Sequence, residues 1–330
     1  MTTSTPPTTN SGTTYDAIVI GGGAAGLSGA LMLTRSRRSV LVIDTGEPRN
    51  APAAGVHGLL GHDGVPPGEL LARGRAEVRS YGGVIMSGAV VGADRVAEGF
   101  RVALDDGSAL VARRLLVASG LVDELPPVAG LSERWGRDVI HCPYCHGWEV
   151  RDQPIGVLAT GPMATHQALL FRQLSQDVTV FDHSGALTAQ DRERLSARGV
   201  PVVDGAVAGL QITEDRITGV VLGDGMVVPR GVVTVQSRMV ARAGFLADLG
   251  LLAIEHPMGM GSYVPADPTG LTDVPGVFAA GNVADLGAQV GAAAAAGALA
   301  GARINAELVE EETAAAVARA ERSVSASLPV

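Results

Sequence analysis

Tyr15-Asp16-Ala17-Ile18-Val19-Ile20 runs directly into Gly21-Gly22-Gly23-Ala24-Ala25-Gly26-Leu27, and this junction decides the fold. An apolar run of strand length, then G-x-G-x-x-G, then a helical pattern to about Thr34, opens a dinucleotide-binding βαβ unit. Gly21 permits the tight turn, Gly23 lets a pyrophosphate approach the backbone, and Gly26 lets helix pack closely on strand. The helix N-terminus at Ala24, Ala25 and Gly26 can then hold the phosphates. A second strand, Ser39 to Ile43, ends at Asp44, where a carboxylate can accept the ribose hydroxyls of an adenosine. Strand, glycines, helix, strand and acid together make a far more specific signal than the glycines alone.

Downstream, Arg101 to Leu104 and Ala109 to Val117 read as a hairpin around Asp105-Asp106-Gly107, ending in Ala118-Ser119-Gly120. A second βαβ pattern follows: strand Pro154 to Leu158, turn Ala159-Thr160-Gly161-Pro162-Met163-Ala164, helix to about Leu174, strand Val178 to Phe181. Its fingerprint is damaged. Ala159 stands where the first glycine belongs, Pro162 stiffens the turn, and Asp182-His183 follows with no arginine before Arg192, so a dinucleotide 2′-phosphate would meet a carboxylate. Near the C-terminus, Val277-Phe278-Ala279-Ala280-Gly281-Asn282-Val283 forms a strand ending in a small-residue turn. Gln289-Val290 then opens a Gly/Ala-rich helix to about Leu308, smooth enough to lie against a cofactor or a backbone.

Between the two βαβ patterns lies His141-Cys142-Pro143-Tyr144-Cys145-His146-Gly147-Trp148-Glu149, which holds both cysteines of the chain. A Cys-x-x-Cys pair closes a small disulfide ring, and an adjacent imidazole can carry a thiol proton, so the stretch points to two-electron thiol–disulfide exchange. Zinc normally takes four Cys/His ligands at other spacings, and haem attachment requires export; neither fits well, and no metal is expected. A purely structural role is disfavoured because so short a loop gains little closure entropy. His146 is the candidate base for a substrate thiol and acid for the leaving cysteine. His141 is a second candidate, with packing as its alternative role; Glu149 could orient an imidazole or simply face solvent. His57 and His62 read as loop histidines.

Composition bounds the partners. The 330 residues carry a net charge of −9, which argues against nucleic acid and anionic membranes and leaves small molecules. All 25 basic residues are arginine, excluding lysine-based catalysis and a P-loop. No apolar run reaches transmembrane length, and two cysteines in a redox spacing without a leader give a cytoplasmic expectation.

The order of these motifs resembles the low-molecular-weight thioredoxin reductases from about Tyr15 to Leu308. The resemblance implies an α/β fold of two Rossmann-like three-layer domains: a discontinuous FAD domain (15–120 and 244–315) interrupted by an NADPH-domain-like module with the cysteines (121–243). Tails occupy 1–14 and 316–330. It further implies a homodimer and FAD bound by Gly21, Gly23, Ala24, Ala25, Gly26 and Asp44, with Ala118, Ser119 and Gly120 nearby. Gly281 and Asn282 would meet pyrophosphate and ribityl, and Gln289-Val290 would aim a helix N-terminus at the flavin pyrimidine. Cys145 would face the isoalloxazine and Cys142 the thiol substrate.

His146, Ala159 and Asp182-His183 depart from the reductase pattern. With Cys-Pro-Tyr-Cys-His-Gly-Trp-Glu, these departures resemble the branch of FAD-dependent dithiol oxidases that close the disulfides of gliotoxin, holomycin and related natural products. That branch implies a small-molecule dithiol as electron donor and dioxygen as acceptor. The rival expectations are an NAD(P)H-fed thioredoxin-type disulfide reductase and a flavin redox sensor without turnover.

Overall fold

A computed structural model describes residues 14–326. Residues 1–13 of the expected N-terminal tail and the last four residues lie outside the described residues. The chain forms two compact units: one comprises the chain up to Pro48, Gly68–Val122 and Val240 onward; the other comprises Arg49–Pro67 and Asp123–Met239. Strands Leu121–Glu124 and Arg238–Ala241 carry the chain between them. The segment 49–67, expected within the first module, thus packs with the second.

The first unit is built on a seven-stranded sheet. Strands Val84–Ser87, Val40–Asp44, Thr14–Ile20 and Ala109–Val117 lie parallel in that order, Val277–Ala279 also pairs parallel with Ala109–Val117, and Gly99–Leu104 and Val90–Val96 extend it antiparallel. Both faces are covered. Alternation sends Ile18 and Ile20 into one apolar cluster and Ala17 and Val19 into the other, so the strand is apolar throughout, as a doubly covered parallel sheet requires. Each fully buried Ile or Leu contributes roughly 2 kcal/mol.

Helix Ala24–Arg35 packs against the long helix Val290–Ala326. The smoothness of the latter has a backbone cause: a β-carbon at Gly297 would overlap the Ala25 carbonyl oxygen, and one at Gly301 would crowd the Gly29 carbonyl. The helix continues through the acidic stretch to Ala326 without a break, into the segment expected as a tail from residue 316. Arg38 and Arg113 hold it there by pairing with Glu312 at 2.6 and 2.7 Å, and the Arg38 hydrogen bond foremost draws the Glu312 carboxyl down to about 2.

The second unit carries a five-stranded, all-parallel sheet in the order Val202–Asp204, Val178–Asp182, Ile155–Leu158, Val232–Val235, Val139–Ile140. A three-stranded antiparallel sheet, Val207–Thr213, Arg216–Leu222 and Val227–Val228, completes it. Apolar clusters lie on both faces of the parallel sheet, one around Phe171 and Val180, the other around Phe181 and Val233. The fold is α/β with two Rossmann-type sheets.

Candidate functional site

In the first unit the glycines divide by task. Gly21 has φ +107°, and a β-carbon there would overlap the Ala118 carbonyl; one at Gly26 would overlap the Gly21 carbonyl. Both are demanded by the fold itself. Gly23 differs: its backbone lies in the extended region open to any residue, and the space a β-carbon would enter is empty. It is the N-cap of helix Ala24–Arg35, no side chain caps that end, and no acid lies in the first turn. The first-turn N–H groups are therefore free for an anion, with a vacant cradle beside them. Asp44, at its strand end, accepts from the Gly22 N–H at 2.9 Å and is only half-buried.

The C-terminal elements close this end of the unit. Gly281 has φ +75° and its β-carbon position lies 2.8 Å from Ala25 Cβ, so only glycine passes this close to the first helix. The Asn282 amide donates to the carbonyls of Asp285, Leu286 and Ala288 at 3.1, 3.4 and 2.9 Å, bracing the loop that launches the helix at Val290. Gln289 is exposed just ahead of that helix, and its carbonyl accepts from Ala293 N. Ser119 donates to the Arg242 carbonyl and Gly120 accepts from Arg242 N, which pins the crossover next to Ala118. The uncapped helix and the empty cradle at Gly23 fit the diphosphate of FAD.

In the second unit Cys142 caps the short helix Pro143–His146 and forms the disulfide with Cys145. Proline at the first helical position suits that start. The Cys145 N–H lies 3.2 Å from Cys142 Sγ, a donor that would stabilise that sulfur as a thiolate once the bond opens. Both cysteines are half-buried. Gly147 follows because a β-carbon there would overlap the Pro143 carbonyl and Leu174. His146 Nε2 is buried without a hydrogen-bond partner. Burial chiefly holds its imidazole below the ordinary value, the Glu149 carboxylate opposes this, and His57 adds to it. His141 lies within 3.3 Å of the Val235 carbonyl and 6.5 Å from the Trp135 ring; burial, then Arg49, keep it low as well.

Two groups escaped the sequence reading. His57, read as a loop histidine, stands 3.4 Å from Glu149; only the packing of segment 49–67 against the cysteine stretch reveals it. Arg192 is the second, and it corrects the expectation that no cation lies near Asp182. Helix Ala189–Ala197 folds back so that Arg192 pairs with Asp182 and Asp204, each at 2.6 Å. The capping box Thr188–Asp191 that starts this helix was the local signal. Asp182, 2% exposed in its side chain, also accepts from Ala186 N, so its carboxylate is spent inside the fold and does not face a ribose. Ala159 is fully buried at the start of the turn, and helix Ala164–Phe171 begins without a side-chain cap.

Residues 15–300 match the family profile described as pyridine nucleotide-disulphide oxidoreductase. The chain is 34% identical over 284 residues to the thioredoxin reductase tcpT of Claviceps purpurea, covering 81% of this chain and 86% of the relative. The crystal structure of HlmI superposes with a TM-score of 0.89 at 48% identity, covering 94% of this chain and 98% of that one. An oxidoreductase from Agrobacterium tumefaciens superposes with a TM-score of 0.84 at 38% identity, covering 90% and 99%. Together with the disulfide and the glycine turn, these likenesses make the chain a member of the pyridine nucleotide-disulphide oxidoreductases, a thioredoxin-reductase-like, FAD-dependent enzyme.

Proposed function

We propose that this enzyme oxidises a small-molecule dithiol to its intramolecular disulfide, with dioxygen as the final acceptor. The net reaction, dithiol plus dioxygen giving cyclic disulfide plus hydrogen peroxide, balances without a nicotinamide. The observation that carries the reading is the second unit's turn. Ala159 replaces the first glycine, Pro162 supplies no N–H, and Asp182 is locked inward by Arg192, so the place where a nicotinamide dinucleotide would dock lacks its usual means of holding one.

The residues support the following order of events. His146 Nε2, buried and unpartnered, takes the proton of the first substrate thiol. The substrate thiolate attacks Cys142 Sγ, the sulfur–sulfur bond opens, and its electron pair leaves on Cys145, which receives the proton from His146. The second substrate thiol, deprotonated in turn, attacks the sulfur already bound to Cys142. That closes the substrate ring and releases Cys142, whose sulfur the Cys145 N–H stabilises. FAD, when bound, would supply the two-electron acceptor for the resulting dithiol and the chemistry by which dioxygen is reduced to peroxide. In the first unit, Gly23 and the first-turn N–H groups would hold its diphosphate and Asp44 its ribose, with Gly281 and Asn282 shaping the floor. A homodimer and a cytoplasmic location belong to the same proposal; among the described residues no helix is long and apolar enough to cross a membrane.

A reductase reading is the rival, favoured by the name of the relative tcpT and by Arg192, whose side chain is 39% exposed. One experiment separates them. Under nitrogen, a vicinal or near-vicinal dithiol is expected to bleach the flavin rapidly, NADPH negligibly and NADH slowly or not at all. Fast bleaching by either nicotinamide, followed by reduction of a disulfide, would promote the reductase.

His146→Ala is expected to slow dithiol-driven bleaching on the order of 100-fold. Because burial lowers its midpoint, His146 remains a neutral base below pH 6.5, its ordinary value. The acid-side fall in rate should therefore lie below pH 6.5 and vanish in the alanine variant. An unchanged rate in that variant would pass the role to His141.

A further inference from the structure

We propose that His57 and Glu149 are positioning residues of the dithiol site, a carboxylate–imidazole pair that sets the charge His146 meets as it takes and returns a proton. The inference rests on the acid–base reading of His146. Segment 49–67 belongs to the same compact unit as the cysteines. An antiparallel bridge between Val56 and Val65 pinches it shut, with Val56 N donating to Val65 O and Gly64 N to Val56 O, both at 2.8 Å. His57 sits at the foot of this loop and is fixed from both sides. Its Nε2 lies 3.4 Å from Glu149 Oε1 and its Nδ1 3.4 Å from Asp63, and Asp63 is itself held by the Gly58 N–H at 3.1 Å. The ring thus stands between two carboxylates, one facing each nitrogen.

Glu149 lies three residues beyond His146, with Gly147 between them in the right-handed helical region, so the two side chains leave the chain on neighbouring sides of one turn. Glu149 thus stands one turn beyond His146, and the His57 imidazole, 3.4 Å away, fixes the direction of its carboxylate. The arrangement also leads outward in steps: His146 Nε2 is buried, the His57 side chain is 23% exposed and Asp63 is 71% exposed. Apart from burial, Glu149 and His57 are the groups that act on His146, and they act with opposite sign, the carboxylate favouring the imidazolium and His57 opposing it. The carboxylate stabilises His146 after it has taken a substrate proton. The imidazole keeps that stabilisation from trapping the proton there.

The test reads the His146 ring directly, by NMR titration of protein carrying labelled histidine, with FAD bound. Glu149→Gln is expected to lower the His146 midpoint and His57→Gln to raise it, each by about half a pH unit or more, the scale of a nearby charge in a partly solvated site. The acid-side limb of dithiol-driven flavin bleaching should move in the same two directions. Midpoints that stay fixed, or that move together, would overturn the pair, because a merely structural contact has no reason to shift them oppositely. Wild-type protein inert toward dithiols, with the midpoints still moving oppositely, would sink the oxidase reading while leaving the electrostatic pair in place.

Discussion

Cys145→Ser is expected to abolish dithiol oxidation while leaving a folded, yellow protein. Without the second sulfur no disulfide exists for a substrate thiolate to attack, so under nitrogen a small dithiol that bleaches the wild type leaves the variant's flavin absorbance unchanged. The same variant reports which sulfur meets the substrate. Offered a linear disulfide such as cystamine, the Cys142 thiolate attacks it, forms a mixed disulfide and expels one thiol. The neighbouring N–H, 3.2 Å from Cys142 Sγ, favours that thiolate, and no following sulfur remains to resolve the adduct. Intact-mass spectra should therefore show a stable adduct on Cys142. The converse variant, Cys142→Ser, should react at least about tenfold more slowly, since among the described residues no N–H donates to Cys145 Sγ. Faster labelling of Cys145 would exchange the roles of the two cysteines.

Gly23→Val is expected to remove FAD without disturbing the fold. The backbone there is extended, at φ −77° and ψ −172°, and the region a side chain would enter holds no atom within 4 Å, so valine meets neither strain nor clash in the protein alone. It would fill the cradle in front of the uncapped helix N-terminus, where the diphosphate has to come. Flavin content measured by absorbance should fall at least about tenfold, a difference of roughly 1.4 kcal/mol or more in binding. Thermal unfolding of the apoprotein should match that of wild-type apoprotein. Gly21→Val and Gly26→Val make the contrast, because there a β-carbon overlaps backbone carbonyls and the fold itself should suffer. Full FAD retention in Gly23→Val would mean the diphosphate lies elsewhere.

The sequence alone determined what depends on short-range pattern. Apolar strands, the G-x-G-x-x-G turn, Asp44 at the next strand end and the Cys-x-x-Cys stretch are all written within a few residues of one another. Some of the close approaches they encode are local, as Gly26 against the Gly21 carbonyl, while Gly21 against Ala118 joins distant segments. Elements with one exposed face were harder to read. Strand Val90–Val96 is only partly buried, and helix Ala189–Ala197 buries Leu195 alone, so neither carries the apolar period by which an element is recognised.

What only the tertiary structure decided are the pairings between distant segments. Arg192 could not be seen to neutralise Asp182 until a helix folded back on its strand. His57 lies 92 positions from Glu149 in the chain, in a glycine-rich loop with no periodicity, and nothing local distinguishes it from His62. Its place beside the cysteine stretch follows from how segment 49–67 packs within the second unit. Burial acts in the same way on His146, whose orphaned Nε2 and lowered midpoint are properties of what surrounds the ring. Residue type announces that an imidazole can titrate near neutrality; desolvation and neighbouring charge, which exist only once the chain has folded, decide in which direction it is moved.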